Sequence, residues 1–171
     1  MTQSLFMTGD ATFSPCGRYR YSLSRSWDPT LPRACWIMLN PSRAGAVKND
    51  PTITRVIGFS SAFGFGSFVV VNLYAYIATD PIDLLKEHRR LPEMDIIGPD
   101  NFTSILNAAK GRRIIVGWGA IRKRLVAQAE RVLELVEGDL HCLGTTDGGF
   151  PKHPLYLPNE TELQLFARAK A

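Results

Sequence analysis

Ala34-Cys35-Trp36-Ile37-Met38-Leu39-Asn40-Pro41-Ser42 carries six apolar residues in a row and then turns abruptly polar. The apolar run has the length of a buried strand, and it delivers Asn40 at its carboxyl end. In open α/β sheets the carboxyl ends of strands are where sites are built. Three other segments end in the same manner. Phe68-Val69-Val70-Val71-Asn72 closes on an amide, Ile114-Ile115-Val116-Gly117-Trp118-Gly119 closes on Trp-Gly, and His153-Pro154-Leu155-Tyr156 forms a late polar turn. A single fold would bring all four ends to one rim.

The segments between these ends alternate in period. Residues 18–25 alternate polar and apolar after the turn Ser14-Pro15-Cys16-Gly17, which predicts a half-exposed strand pairing with residues near 11–13 or with a sheet edge. Asp50-Pro51 places an acceptor at the N-cap and a proline at the first helical position, and Ile53, Val56, Ile57, Ser60 and Phe63 then recur on one face until Gly64 and Gly66. Asp80-Pro81 repeats the signal for a short helix through Leu84 and Leu85, and Pro99-Asp100 opens another through about Ala109. Strand 113–117 leads into a helix over about 120–136, with Ile121, Leu125, Ala129, Val132, Leu133 and Val136 at helical spacing. Leu140–Leu143 is the last core strand. Gly144–Pro158 is a loop, and Asn159-Glu160-Thr161-Glu162 reads as the cap of a closing helix through about Ala169. Strands alternating with helices predict a three-layer α/β/α sandwich, with a mostly parallel central sheet of about four strands and an N-terminal β-hairpin, in one domain over residues 1–171.

Bulk properties narrow the function classes. A chain of 171 residues, 45% hydrophobic, fits one domain. No apolar run approaches the roughly 20 residues of a bilayer span. Met1–Met7 lacks a basic region followed by an apolar one, so the expected address is cytoplasmic, with no membrane partner. Cys16, Cys35 and Cys142 form no C-x-x-C pair, and His88, His141 and His153 are scattered, so neither a metal nor another cofactor is expected. The formal charge of +4 permits a nucleic-acid partner without requiring one. Positive charge gathers at Lys86–Arg90, Lys110–Arg113 and Arg122-Lys123-Arg124, which are either phosphate contacts or solvated helix ends and turns.

Each candidate residue has a structural reading beside its functional one. Asn40 before proline suits an Asx turn as well as a site. Asn72 closes an apolar run, and a buried amide there must find hydrogen-bond partners or a ligand. His153 lies in the rigid turn Gly148-Gly149-Phe150-Pro151-Lys152-His153-Pro154, where loops after the last strand often carry function. Trp118-Gly119 before a helix could seat an anion or could simply turn the chain.

Taken in order, these motifs resemble the uracil-DNA glycosylase superfamily. Met38-Leu39-Asn40-Pro41-Ser42 is similar to its first motif in the asparagine-bearing branches, and Lys152-His153-Pro154-Leu155-Tyr156-Leu157 to its second. Over most of its length the chain also resembles a bacterial and phage family filed as a domain of unknown function, with Asn-Pro-Ser, Asp-Pro-Thr and His-Pro-Leu-Tyr segments in this order. The glycosylase resemblance implies the fold of that superfamily, DNA as partner (single-stranded, or a duplex with a flipped base), and hydrolysis of the N-glycosidic bond of uracil or a related base. It implies that His153 hydrogen-bonds the departing base, Asn40 holds the attacking water and Asn72 reads the pyrimidine edge. One of Phe59, Phe63 and Phe65 would stack on the base, with Phe63 and Phe65 as the base-binding candidates. Ser42, Leu155, Tyr156, Arg122 and Lys123 would contact DNA. The chain departs from the pattern in having Asn40 where the most efficient branch has aspartate, and Leu155-Tyr156-Leu157 where serine and a second proline are usual. A non-catalytic nucleobase- or nucleotide-binding module, or an enzyme of small metabolites, is the alternative expectation, since fold and chemistry separate readily.

Overall fold

A computed structural model describes residues 7–42 and 48–167. One sheet of seven strands runs through it: β1 (Thr8–Phe13), β2 (Arg20–Ser26), β3 (Arg33–Met38), β4 (Ser67–Asn72), β5 (Arg113–Val116), β6 (Leu140–Cys142) and β7 (Gln164–Leu165), in the spatial order β1-β2-β4-β3-β5-β6-β7. The helices are α1 (Pro51–Ala62), α2 (Pro81–Arg90), α3 (Glu93–Ile97), α4 (Asn101–Ala109) and α5 (Lys123–Leu135).

The expected four-stranded, mostly parallel sheet of the uracil-DNA glycosylase type is not what the chain builds. The sheet is mixed: β3 pairs in parallel with β4 and β5, and β5 with β6, while β1–β2, β2–β4 and β6–β7 are antiparallel. Two local choices account for the difference. The alternating strand β2 does not stop at a separate hairpin; it lies along β4, with Leu23 opposite Val70 and Arg25 opposite Phe68. At the other edge, Asn159-Glu160-Thr161-Glu162 caps no helix among the described residues. Gln164 and Leu165 instead pair with Cys142 and His141, and the Phe166 N–H donates to the Leu140 carbonyl at 2.8 Å. The Phe166 ring meets Trp118 edge-on at 6.2 Å, contact that a helix turning away from the sheet would forfeit. The remainder of the expected closing helix, residues 168–171, lies outside the described residues, as does the N-terminal stretch 1–6.

Elsewhere the local signals act as their chemistry dictates. The Asp50 carboxylate accepts from the Ile53 N–H at 2.7 Å and Pro51 opens α1; Asp80 accepts from the Ile82 N–H at 2.8 Å at the start of α2, which runs on to Arg90. Helix α3 has no side-chain cap and no strong sequence signal; burial of Ile96 and Ile97 holds it. Helix α5 begins at Lys123, after the positive-φ Gly119 and an extended Arg122.

Helices cover both faces of the sheet. Ile53, Val56 and Phe59 of α1 pack on Trp36, Phe68, Val70 and Ile115, and the Trp36 indole donates to Ser60 Oγ at 3.0 Å. On the opposite face Ile105 of α4 and Leu125, Ala129 and Val132 of α5 cover Ile37, Val71 and Val116. Each Val, Leu, Ile or Phe side chain among these contributes about 1.5–3 kcal/mol on burial. Among the described residues no helix is long and apolar enough to cross a membrane.

Gly66 is the tightest point of the amino-terminal side of the sheet. Its carbonyl accepts from the N–H groups of Trp27 and Asp28, its N–H donates to Pro32, and a Cβ there would stand 1.9 Å from the Asp28 carbonyl oxygen. Gly66→Ala is therefore expected to destabilise the fold by about 1–3 kcal/mol, read from the urea midpoint. An unchanged midpoint would show that the 27–32 loop is not held against this glycine.

Candidate functional site

The carboxyl ends of β3 and β4, the turn after β5 and the loop after β6 enclose one cavity of about 630 Å³, within the size range of small-molecule sites. The parallel register sets its floor. Met38 stands opposite Asn72, so Met38, Val70 and Asn72 lie on the α1 side of the sheet, and Asn40, Trp118, Gly119 and His153 complete the wall.

Asn72 is 2% exposed, and its Nδ2 has no hydrogen-bond partner among the described residues. Its backbone carbonyl is satisfied by Asn101 Nδ2 at 2.9 Å. An unmet buried donor costs about 1–3 kcal/mol, which marks Asn72 as a group awaiting an acceptor. Trp118 Nε1, also buried, likewise has no partner among the described residues.

His153 presents a defined donor. Its Nδ1 accepts from the Leu155 N–H at 3.2 Å, which fixes the neutral tautomer with hydrogen on Nε2. Burial pushes its pKa below the ordinary value, against a smaller opposing pull from the Asp50 carboxylate. Gly119 lies against the base of the His153 side chain, with φ +76° and a Cβ position only 3.3 Å from His153 Cβ, and its N–H donates to the Pro151 carbonyl at 2.9 Å. A side chain at position 119 would strain the left-handed backbone and crowd His153 Cβ.

Asn40 directs Nδ2 at the carbonyls of Ala78 (2.9 Å) and Pro41 (3.3 Å), while the Ala78 N–H returns a bond to Pro41. The structural role is thus real, and what the side chain has left to offer is its carbonyl oxygen. Ser42 donates through Oγ to Asp50 and accepts through its backbone oxygen from Arg20 Nη1 at 3.2 Å. Asp50 in this way ties the chain after β3 to the start of α1. Arg20 also lines the cavity; burial lowers its guanidinium pKa to about 10, with Asp50 raising it and Arg25 lowering it, so it remains a cation at neutral pH.

One important residue escaped the sequence reading. Arg55 on α1 donates to the carbonyls of Pro154 (3.4 Å) and Leu157 and to Asn159 Oδ1, with its guanidinium 4.8 Å from the Phe59 ring centre. It clamps both ends of the short 3₁₀ turn Pro154–Tyr156 that follows His153. Its i,i+4 spacing to Phe59 was the available signal, but nothing local announced partners about a hundred residues away. Arg20 was likewise read only as part of an alternating strand.

The expected residues do not all gather here. Ser42, Leu155 and Tyr156 line the cavity, Tyr156 at its mouth with 84% of its surface exposed. Phe63 and Phe65 line a different concavity at the amino ends of β3 and β5. Phe59 is buried against the sheet and stacks on Phe63 at 5.9 Å. Arg122 and Lys123 line a third concavity with Lys86, Arg89 and Arg124, two residues along the chain from Ala120 on the cavity wall. Among the described residues no group of His, Cys, Asp and Glu is arranged to hold a metal ion. Cys35 is fully buried, which pushes its thiol up to about 12 and leaves it inert.

The depressed pKa of His153 has a stability consequence. The contribution from neutral His153 is complete above its ordinary pKa near 6.5 and is lost as pH falls through the lower folded-state value. The stability gap between wild type and His153→Ala should therefore narrow between pH 7.5 and pH 5 in parallel urea titrations. A gap that stays constant or widens on acidification would show that the ring is not held neutral.

Comparison with known proteins adds one result. No curated protein and no solved structure matches the chain. Residues 20–155, from the first residue of β2 to the turn after His153, match the family described as "Protein of unknown function (DUF1643)", and the chain belongs to that family.

Proposed function

We propose that the cavity receives a nucleobase presented by a DNA strand and that the protein hydrolyses the N-glycosidic bond of uracil or a related base. The observation that carries this reading is the buried Nδ2 of Asn72 on the cavity floor, without a partner among the described residues, in the same cavity as the fixed Nε2–H of His153. An amide offers one donor edge and one acceptor edge, the complement of a pyrimidine's N3–H and C4 carbonyl. The motif resemblance to uracil-DNA glycosylases supports the same assignment.

In this reaction the C1′–N1 bond breaks with its electron pair remaining on the base. The sugar cation takes up the oxygen of a water molecule, and the proton that water sheds passes to solvent. His153 acts as a neutral donor through Nε2–H, strengthening its hydrogen bond as charge develops on the base oxygen. Asn40 positions the water through its amide oxygen without accepting a proton. Trp118 and Arg20 keep the cavity rich in donors and positive charge, which suits an anionic leaving base. Tyr156, exposed at the mouth, offers a face for stacking on a neighbouring base, and Arg122 and Lys123, in the third concavity, supply phosphate contacts. Ser42 is committed to Asp50, so its part is to shape the rim.

A second reading is favoured by one feature. Asp50 is the only carboxylate among the described residues that line the cavity, and its oxygens are engaged by the Ile53 N–H and Ser42. A site so lacking in a general base suits recognition of a base without turnover.

Oligonucleotides carrying one uracil, single-stranded and duplex, separate these readings. Excision detected as alkali-labile abasic sites, lowered about 10²–10³-fold in His153→Ala, is the result expected of the glycosylase. Asn72→Asp replaces the donor by an acceptor and should shift base preference away from uracil. Tight uracil-dependent binding with no cleavage at enzyme excess would select the binding module, and indifference to uracil in both assays would reject the nucleobase reading.

A further inference from the structure

A second concavity of about 760 Å³ opens at the opposite end of the parallel strands. Five residue steps along β3 separate Arg33 at its edge from Met38 on the first cavity's floor, about 16 Å at strand rise. Four cations, Arg33, Lys110, Arg112 and Arg113, line it, and none of the described residues lining it is acidic. The ion pairs among the described residues, Lys86–Asp83, Arg90–Glu87 and Arg131–Glu93, lie elsewhere.

Part of this charge has a structural use. Arg112 Nη1 donates to the carbonyls of Asn107 and Ala108 at 3.0 and 2.6 Å and so closes the carboxyl end of α4, and Arg113 Nη1 lies 3.4 Å from His141 Nε2. Helix capping accounts for one arginine and not for the convergence of four cations. Arg33, exposed at the first position of β3, has its pKa lowered by partial desolvation and, to a smaller extent, by the like charge of Arg112 nearby. Like charges lining one concavity with no carboxylate among its described residues repel one another, and an anion bound there would relieve that repulsion. The wall is not purely ionic: Phe63, stacked on Phe59, supplies an apolar face together with Leu163.

We propose that this concavity binds a phosphate-bearing ligand, either a stretch of nucleic-acid strand or a free nucleotide, with Arg33, Lys110 and Arg113 on phosphate oxygens and Phe63 against the base. Arginine's planar fork matches phosphate geometry, and two such side chains with a lysine in one concavity favour phosphate over a single carboxylate. The site is separate from the nucleobase cavity and does not depend on its chemistry. On a strand it would act as a second anchor on the protein; with a nucleotide it would be an independent ligand site.

The test uses fluorescence anisotropy with a uracil-free, dye-labelled single strand and with a dye-labelled ATP, each across a salt series. Lys110→Glu/Arg113→Glu is the main variant, and Lys110→Ala, at an exposed position, is the companion that leaves the fold undisturbed. Arg131→Ala, which removes an exposed cation outside all three concavities, serves as the control for general charge loss. The expected result is at least about tenfold weaker binding of one ligand in the double variant, with a shallower salt dependence, a smaller loss in Lys110→Ala, and none in Arg131→Ala. Loss for the strand identifies nucleic acid as the source of the phosphates, and loss for ATP alone identifies a nucleotide. Binding of neither ligand by the wild type, or equal affinities in wild type and both variants, would overturn the proposal.

Discussion

Parallel pairing of β3 between β4 and β5 is the constraint on which the rest of the molecule depends. Ala34–Met38 is buried, so its backbone groups are met by two neighbours and its side chains by helices on both faces. Register then follows from burial: Trp36 beside Val70 and Ile115 faces α1, and Ile37 beside Val71 and Val116 faces α4 and α5. A slip of one residue would exchange these two sets and strand Asn72 on the wrong face. With the register fixed, three strands end together, and their polar terminal residues have one place to go.

The cavity so formed is kept in shape by polar ties rather than by apolar packing alone. Arg55 holds the His153 turn to α1, Asp50 holds the exit of β3 to the start of the same helix through Ser42, and Asn40 holds that exit to Ala78. A single helix thereby references both sides of the site. Among the described residues, the Nδ2 of Asn72 and Nε1 of Trp118 are buried donors without a partner, and the histidine adds a third donor through Nε2–H. A ligand rich in acceptors, or one that gains negative charge, is what such a lining stabilises.

Much of the cavity was legible in the sequence, because its residues stand where apolar runs stop. Asn40 and Asn72 are marked by an abrupt change of polarity, Trp118 by the glycine turn that ends its strand, and His153 by a glycine- and proline-rich turn. The phenylalanines were not: Phe63 and Phe65 lie at the end of α1 and before β4, on the opposite edge of the sheet, and composition cannot tell which edge a helix end reaches. Arg55 was silent because its partners are distant in sequence. The breadth of the sheet was missed for a similar reason, since β2 and β7 are defined by the strands they join. A cap-like Asn159-Glu160-Thr161-Glu162 did not start a helix because Leu165 and Phe166 found partners in β6 and Trp118. Local propensity yields where tertiary contact offers more.

The claim at the centre of this account is that Asn72 and His153 share one ligand. Its most direct test is nitrogen-edited NMR of the Asn72 side-chain amide and the His153 ring during titration with a uracil-containing oligonucleotide, using Asn72→Asp and His153→Ala to assign the signals. Asn72 Nδ2 and His153 Nε2 should shift together along one saturable curve that the uracil-free strand does not reproduce. Saturable binding that leaves both signals in place would put the nucleobase elsewhere and contradict the account.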